Sequence, residues 1–356
     1  MRSMKTVVTI GVLVLLSATA LRAQESPKGQ DAAFVHPEGA KIVLRPDGNY
    51  VFNFVPASDL VFEAWVAPDV HIVGNVSSKL EEVLNGTRKR LWAYSVFGTF
   101  MVRLRMFDED SNPVRTPSYM PKATVQIAAF RDISRALDTD HPDRRVSMWL
   151  LDFIPFGHHS NGQNGCLFVE ATRMDGECVG DEAIPPDERT VNTRDGSFST
   201  NYFRLGAQYR QMYLESAKDI PFALTRWQWN VGVDAEINPT WHPIGGAISD
   251  DLYSIYGPTR VGVSAGAARL HWKRFGRVEG KVGFEYIHDA PRDVSDVSTR
   301  LEMSFLPRGW GGAGIFARFY HGQDYYNLAF EQNISRLQFG LTFNQDKFLM
   351  FRQHLQ

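Results

Sequence analysis

The chain of 356 residues carries 38 basic and 40 acidic side chains and a formal net charge of −2. That balance excludes the strongly basic composition typical of nucleic-acid-binding proteins. Aromatic residues are abundant, with 24 Phe, 12 Tyr and 8 Trp, and past the first residues no apolar run reaches the roughly 18 positions of a membrane-spanning helix. An aromatic-rich chain without such a helix is typical of an outer-membrane β-barrel or of a large secreted β-protein.

The N-terminus has the pattern of a secretory signal peptide, predicted here as residues 1–23. Arg2 and Lys5 precede an apolar run, and the small residues that follow it place the cleavage site after Ala23. Behind the signal we predict a periplasmic N-terminal arm at 24–46, an outer-membrane β-barrel at 47–348 and a C-terminal tail at 349–356.

Strand-like segments separated by turn residues recur through the rest of the chain, without any long helical period. There are about twelve of them, near 49–55, 60–75, 90–107, 119–131, 145–160, 199–213, 225–237, 256–272, 276–288, 298–306, 311–321 and 334–344.

Several of these segments alternate apolar and polar side chains, which is the period of a strand with two different faces. A soluble β-sandwich turns its apolar face inward, whereas a membrane barrel turns that face to lipid and keeps polar side chains in its lumen. The strands are long and even in number, and one polar face combines Arg226 with Asp234 and Glu236. These features favour an all-β fold, a transmembrane antiparallel β-barrel of about 12 strands.

The longest connection, 161–198, is predicted to be a solvated external loop, because it is rich in acidic residues. With a periplasmic N-terminus, the connection after the fifth strand lies on the cell exterior, where barrels carry their long loops. The connection holds both cysteines, Cys166 and Cys178. Outside the cytoplasm this pair predicts a disulfide, and the alternative of half a metal site lacks further Cys or His ligands nearby.

The fifth strand ends in His158 and Ser160, which point to the same side because strand side chains alternate. The even positions that precede them from Val146 are apolar apart from Asp152, so the pair continues a row predicted to face lipid. Asn201 heads an apolar row on the next strand. If the two strands pair antiparallel, Ser160, His158 and Asn201 can meet on the outer wall as nucleophile, base and orienting residue of an ester hydrolase.

A His-x-Ser pattern alone is common, and the alternative is a polar histidine at the membrane interface. The shared lipid-facing parity of the three residues favours the catalytic interpretation, because polar side chains are costly there. Asp152 does not fit the apolar row. Pro155 cannot donate to the strand ladder and predicts a bulge, in which case the parity argument holds only for the residues that follow it.

These residues resemble the active-site motifs of the outer membrane phospholipase A family. His158-His159-Ser160-Asn161-Gly162 looks like its His-x-Ser-Asn-Gly strand, and Ser199–Arg204 resembles the strand with its third catalytic residue. Ser111–Arg115 with Tyr119 is similar to the stretch that feeds its calcium site, and Gly322–Asn327 is similar as well.

The resemblance implies a barrel in the bacterial outer membrane that hydrolyses the acyl esters of phospholipids, with its site facing the outer leaflet. By position, Ser160 would be the nucleophile, His158 the base and Asn201 the orienting residue. The backbone N–H of Gly162 would stabilise the oxyanion.

The resemblance also implies calcium as the cofactor, bound by the backbone carbonyls of Ser111 and Gln163, and a homodimer as the assembly. The chain departs from the family pattern in the long insertion between Ser160 and Asn201. It also has Phe97-Gly98-Thr99-Phe100 where the family shows a glutamine at its dimer face, so dimerisation is less well supported than catalysis.

The predicted function is therefore that of a calcium-dependent phospholipase of the A1/A2 type, a serine-dependent carboxylic ester hydrolase. One alternative is a barrel that binds ligands through its long loop without hydrolysis. Another is an esterase that removes acyl chains from lipid A, although the Asn201 strand and the Ser111 stretch favour phospholipid.

Overall fold

The computed structural model describes residues 49–54, 60–84, 87–108, 114–134, 144–173, 177–179, 184–185, 188–215, 224–241, 245–272, 276–291, 293–307, 310 and 313–343. The predicted signal peptide, periplasmic arm and C-terminal tail lie outside these residues, and so does Ser111.

The described chain consists mainly of antiparallel strands. They are β1 (Asn49–Phe54), β2 (Leu60–Val66), β3 (Asp69–Gly74), β4 (Arg90–Phe107), β5 (Ser118–Asp132), β6 (Arg144–Ser160), β7 (Ser199–Glu215), β8 (Leu224–Ile237), β9 (Thr259–Trp272), β10 (Gly276–His288), β11 (Val297–Pro307), β12 (Ala313–Gln323) and β13 (Asn333–Phe343). The described residues also form two α-helices, α1 (Val76–Leu84) and α2 (Asp250–Tyr256), and a 3₁₀ turn at Val169–Ala171. None of the described helices is long and apolar enough to cross a membrane.

The strands pair as neighbours in the order of a barrel. From β4 to β13 each strand pairs with the next one in the chain. β13 also pairs with β1, β1 pairs with β2, and β2 pairs with β4, where the series began. β2 and β3 lie one after the other along β4, with the break at Ala67 and Pro68, where proline cannot donate to the ladder. Counted as one interrupted strand, they give twelve strands, which confirms the predicted antiparallel barrel.

The wall is apolar outside and polar inside. Large apolar side chains are exposed at alternate positions, among them Trp149, Leu151, Phe153, Leu205, Val231, Val233, Val261, Val263, Leu301 and Met303. Polar and charged side chains on the other face are buried, among them Gln126, Gln208, Arg210, Gln228, Glu236, Glu302 and Arg318. This distribution is the inverse of that in a soluble protein and is the arrangement of a transmembrane barrel with a packed lumen.

β6 contains the bulge that Pro155 predicts. Its pairing with β7 is regular up to Ile154 and resumes at Gly157, with a shift of register between them. Before the shift the even positions, such as Met148, are buried in the lumen, and the odd positions, such as Trp149, are exposed. The prediction that the even row from Val146 onward faces lipid is therefore wrong for the residues before the bulge, because the extra residue reverses the alternation.

The reversal also explains Asp152. The carboxylate lies on the lumen side, where the side-chain amide of Gln126 donates a hydrogen bond to it over 2.7 Å. Asp152, which did not fit a lipid-facing row, is thus a lumen residue with a polar partner.

The two ends of the barrel differ. The terminal end carries the start of β1 and the end of β13, and the loop end carries the connections 161–198, 238–258 and 324–332. At the terminal end Val76, Leu80 and Val83 of α1, one face of a helix, pack into an apolar cluster with inward-facing residues of the wall. Connections are longer at the loop end, which is where the predicted active-site residues lie.

A buried charge network joins the wall to a connection at the loop end. Arg105 of β4 donates through Nε to Glu63 of β2 over 2.6 Å, and through Nη1 and Nη2 to Asp324 over 2.6 and 2.7 Å. All three side chains are buried. Because the guanidinium meets one carboxylate with both terminal nitrogens, the network fixes the start of the 324–332 connection in orientation as well as in position.

Replacing Arg105 with methionine should lower the free energy of unfolding by about 3–5 kcal/mol, because the buried Asp324 carboxylate loses its bidentate cation and Glu63 keeps only Arg103. The matched control is Arg189→Met, which removes a partly exposed pair with Asp251 at 2.6 Å and should cost at most about 1 kcal/mol. Urea titration of the refolded barrel in lipid vesicles measures both values. Equal losses for the two variants would contradict the role of the network.

Candidate active site

The pairing of β6 with β7 brings the three predicted site residues together. His158 lies directly opposite Asn201, and Ser160 lies opposite Ser199. The His158 Nε2 is 3.0 Å from the Ser160 Oγ, and the His158 Nδ1 is 2.7 Å from the Asn201 Oδ1. A hydroxyl, an imidazole and an amide oxygen therefore form one hydrogen-bonded chain, the arrangement that can activate a serine.

The site lies on the outer side of the wall because it follows the bulge. His158 and Ser160 are half-buried. His159, which lies between them, and Asn161, which follows them, are fully buried on the lumen side. The two pairs therefore point to opposite sides, as the alternation of strand side chains requires. The predicted lipid-facing alternation thus holds for the residues that follow Pro155.

The orientation of the Asn201 amide sets the direction of the hydrogen bonds. Its Nδ2 donates to the backbone carbonyl of Gly245. A carbonyl can only accept, so the amide nitrogen has to face Gly245 and the Oδ1 has to face His158. The His158 Nδ1 therefore carries the hydrogen, and its Nε2 is left to accept the hydrogen bond of the Ser160 hydroxyl.

Behind the site, His159 anchors β6 to the connections of the loop end. Its Nδ1 is 3.0 Å from the Tyr256 hydroxyl, which in turn hydrogen-bonds the Tyr325 hydroxyl, and its ring packs edge-on to Phe198 and Phe330. Burial raises the pKa of Tyr256 and of Tyr325 well above their usual values, so both hydroxyls stay protonated and neutral.

Asn161 links three segments just after β6. Its fully buried Nδ2 lies within 2.6 Å of the Asn327 Oδ1 and 2.7 Å of the Gly196 carbonyl, and its Oδ1 accepts from the Phe198 N–H over 3.2 Å. The end of β6, the end of the long connection and the 324–332 connection are therefore held by one side chain.

The connection 161–198 differs from the solvated loop that its acidic composition predicts. It contributes to an apolar cluster shared with α2 and the 324–332 connection, formed by Cys166, Phe168, Ala171, Ile184, Val191, Phe198, Ile248, Leu252, Ile255, Tyr256, Leu328 and Phe330. Its exposed acids, such as Glu170, line the outside of this small core. The structure joins Cys166 to Cys178, which confirms the predicted disulfide.

A cavity of about 500 Å³ adjoins Ser160 beneath this connection. His158, Ser160 and Gly162 form one side of it, and the disulfide, Leu167, Val179, Phe198 and Leu252 contribute to the rest. Gly162 has a φ of +67°, and a Cβ there would lie 3.3 Å from the Tyr119 ring. Gly162 thus allows the chain to turn sharply two residues after Ser160.

The described residues beside Ser160 do not by themselves fit calcium, which takes roughly six to eight oxygen ligands that usually include carboxylates. The described lining of the cavity contains neither Asp nor Glu. Nor does any group of three or more His, Cys, Asp or Glu in the described ranges form a metal site. Of the two predicted ligands, Gln163 lines the cavity and Ser111 lies outside the described residues.

Sequence reasoning missed Gly245, whose carbonyl fixes the Asn201 amide. The dipeptide Gly245-Gly246 marks a turn by its composition, but a turn signal does not say which distant side chain it will touch. Tyr256 was missed as well, because a tyrosine in a short helix carries no mark of a contact with His159.

Comparisons with known proteins return only distant likenesses. No protein-family model and no curated protein matches the chain. Outer membrane phospholipase A from Escherichia coli is 11% identical over 84% of this chain and 90% of its own, with a TM-score of 0.43. An active-site mutant of the Escherichia coli protein is 12% identical over 89% and 95%, with a TM-score of 0.42. The outer membrane phospholipase dimer of Salmonella typhi with bound calcium is 12% identical over 84% and 91%, with a TM-score of 0.40.

A fluorophosphonate, which labels activated serines, should modify Ser160 and spare Ser199 at the same level of the wall. Only a serine whose hydroxyl is hydrogen-bonded to a base reacts rapidly, and Ser160 meets the His158 Nε2 at 3.0 Å. Peptide mass spectrometry of the labelled, refolded protein locates the adduct. Labelling at Ser199, or undiminished labelling in His158→Ala, would contradict this assignment.

Proposed function

We propose that the protein is an outer-membrane phospholipase that hydrolyses acyl ester bonds of lipids in the outer leaflet, with Ser160 as nucleophile, His158 as base and Asn201 as orienting residue. The observation that carries this proposal is the hydrogen-bonded chain of these residues on the lipid-facing side of the wall. A catalytic chain in that place meets its substrate in the bilayer.

The reaction follows from the directions of the hydrogen bonds. The Ser160 Oγ attacks the ester carbonyl while its proton passes to the His158 Nε2. The Asn201 Oδ1 accepts the Nδ1 hydrogen over 2.7 Å and holds the ring in this tautomer. When the tetrahedral intermediate collapses, the Nε2 proton moves to the departing alcohol oxygen and the acyl group remains on Ser160. Water, deprotonated by His158, then releases the fatty acid in the reverse sequence.

Gly162 is the proposed source of oxyanion stabilisation. It follows Ser160 by two residues, and its left-handed backbone conformation turns the chain beside the nucleophile. A backbone N–H at this place can donate to the oxygen of the tetrahedral intermediate. The neutral Asn201 leaves the imidazolium less stabilised than a carboxylate would, so donors to the oxyanion carry more of the catalysis.

The placement of the substrate follows from the barrel. Exposed apolar residues such as Phe153 and Leu205 lie below the site on β6 and β7 and would contact the acyl chains. Outer-membrane barrels carry their long connections on the cell exterior, so the loop end and the site would face the outer leaflet. The cavity beneath the 161–198 connection can then receive the alcohol portion of the lipid.

Calcium dependence and a homodimer are proposed from the resemblance in sequence motifs alone, because the described residues beside Ser160 supply no carboxylate ligand for calcium. The neighbouring structure from Salmonella typhi is a dimer with bound calcium. Neither calcium nor dimerisation takes part in the proposed reaction steps, and the activity assay measures the calcium dependence separately.

Refolded wild-type protein in detergent should release fatty acid from phosphatidylcholine or phosphatidylethanolamine, and Ser160→Ala should lose at least about three orders of magnitude in rate because no nucleophile remains. The assay is run with calcium and with chelator, and calcium is expected to be required. Equal release by wild type and Ser160→Ala would contradict the nucleophile. Release from lipid A alone would favour the deacylase, and no release under any condition would favour a binding barrel.

His158→Ala should abolish hydrolysis, whereas His159→Ala should keep a good part of it, because only His158 faces Ser160 and the outer wall. Initial rates measure the two variants, and circular dichroism confirms that each is folded. The opposite ranking would show that the alternation after the bulge is assigned to the wrong faces.

A further inference from the structure

We infer that Gly246 is a positioning residue for catalysis, because it leaves the space in which the Asn201 amide takes its productive orientation. This inference rests on the proposed function and extends it to a connection far from Ser160 in sequence. Gly246 touches no reacting atom and acts only through Asn201.

The approach of Gly246 to Asn201 is too close for any side chain. A Cβ built on Gly246 would lie 2.6 Å from the Asn201 Nδ2 and 3.2 Å from its Cγ. Asn201 is 4% exposed, and its backbone is fixed by pairing with His158. The only group able to move is therefore the amide itself, and moving it breaks its hydrogen bonds to the Gly245 carbonyl and to the His158 Nδ1.

The connection is held firmly enough for this contact to matter. Ile248, two residues on, is buried in the apolar cluster, and its N–H donates to the Pro239 carbonyl over 3.3 Å. The Ser249 hydroxyl then caps α2 by accepting from the Leu252 N–H over 3.3 Å. Gly246 thus cannot simply swing away from Asn201 without disturbing the cluster.

Gly245 provides a matched comparison within the same turn. Both glycines have left-handed backbones, with φ of +78° at Gly245 and +68° at Gly246, so alanine strains the chain similarly at either position. A Cβ on Gly245 would meet no atom within 4 Å, and its carbonyl is kept in an alanine variant. The difference between the two variants therefore isolates the contact with Asn201.

The experiment measures kcat and KM for phospholipid hydrolysis by full-length Gly245→Ala, Gly246→Ala, Asn201→Ala and the double variant Asn201→Ala/Gly246→Ala. Gly246→Ala should have a kcat about a hundredfold below that of Gly245→Ala, with a similar KM and a similar melting temperature. In the Asn201→Ala background, adding Gly246→Ala should change kcat less than about threefold, because the group through which it acts is gone.

A role of Gly246 in loop stability alone would give additive losses in the double variant and a lower melting temperature, and would overturn the inference. Equal kcat values for Gly245→Ala and Gly246→Ala would overturn it as well. Ser160→Ala is assayed beside them. If Ser160→Ala is inactive while the two glycine variants are equal, only the role of Gly246 fails, whereas full activity of Ser160→Ala removes the proposed function itself.

Discussion

The shift of register at Pro155 is the constraint on which the candidate site depends. Strand side chains alternate strictly, so without the shift the residues that follow would continue the parity of Met148 and Leu150 and point into the lumen. One unpaired step in the ladder turns His158 and Ser160 outward and His159 and Asn161 inward. A single strand thereby supplies the candidate catalytic pair to the outside of the wall and a structural pair to the inside.

The inner pair and the outer pair are supported by the same three connections at the loop end. His159 packs against α2 and the 324–332 connection, Asn161 ties that connection to the end of 161–198, and Gly245 orients Asn201 from the 238–258 connection. The 324–332 connection is itself anchored by Asp324 to Arg105 within the lumen. The charges inside the barrel therefore contribute to the geometry of a site on its outer surface. They act through contacts between packed residues rather than through a long-range electric field.

Much of this structure could be predicted from the sequence, because its strongest signals are local. The period of two located most strands to within a few residues, and Pro155 indicated the bulge because a ring without an N–H cannot join the ladder. The juxtaposition of His158, Ser160 and Asn201 was predictable because these residues lie at the facing ends of adjacent strands. The faces of β6 before the bulge were assigned wrongly, because apolar Val146, Met148 and Leu150 fill the lumen beside α1 and resemble a lipid-facing row. Contacts between connections, such as Gly246 with Asn201, leave no periodic trace and required the structure.

Helix α1 has a consequence for the interior of the barrel. At the terminal end its apolar face and the inward residues of five strands pack into one cluster, and nearer the loop end the lumen is crossed by paired arginines and carboxylates. In the described part of the chain the polar interior thus serves as scaffolding that holds the wall and the loop-end connections in place. The interior is thereby occupied by structural contacts, which leaves the loop end and the outer wall to carry the candidate site.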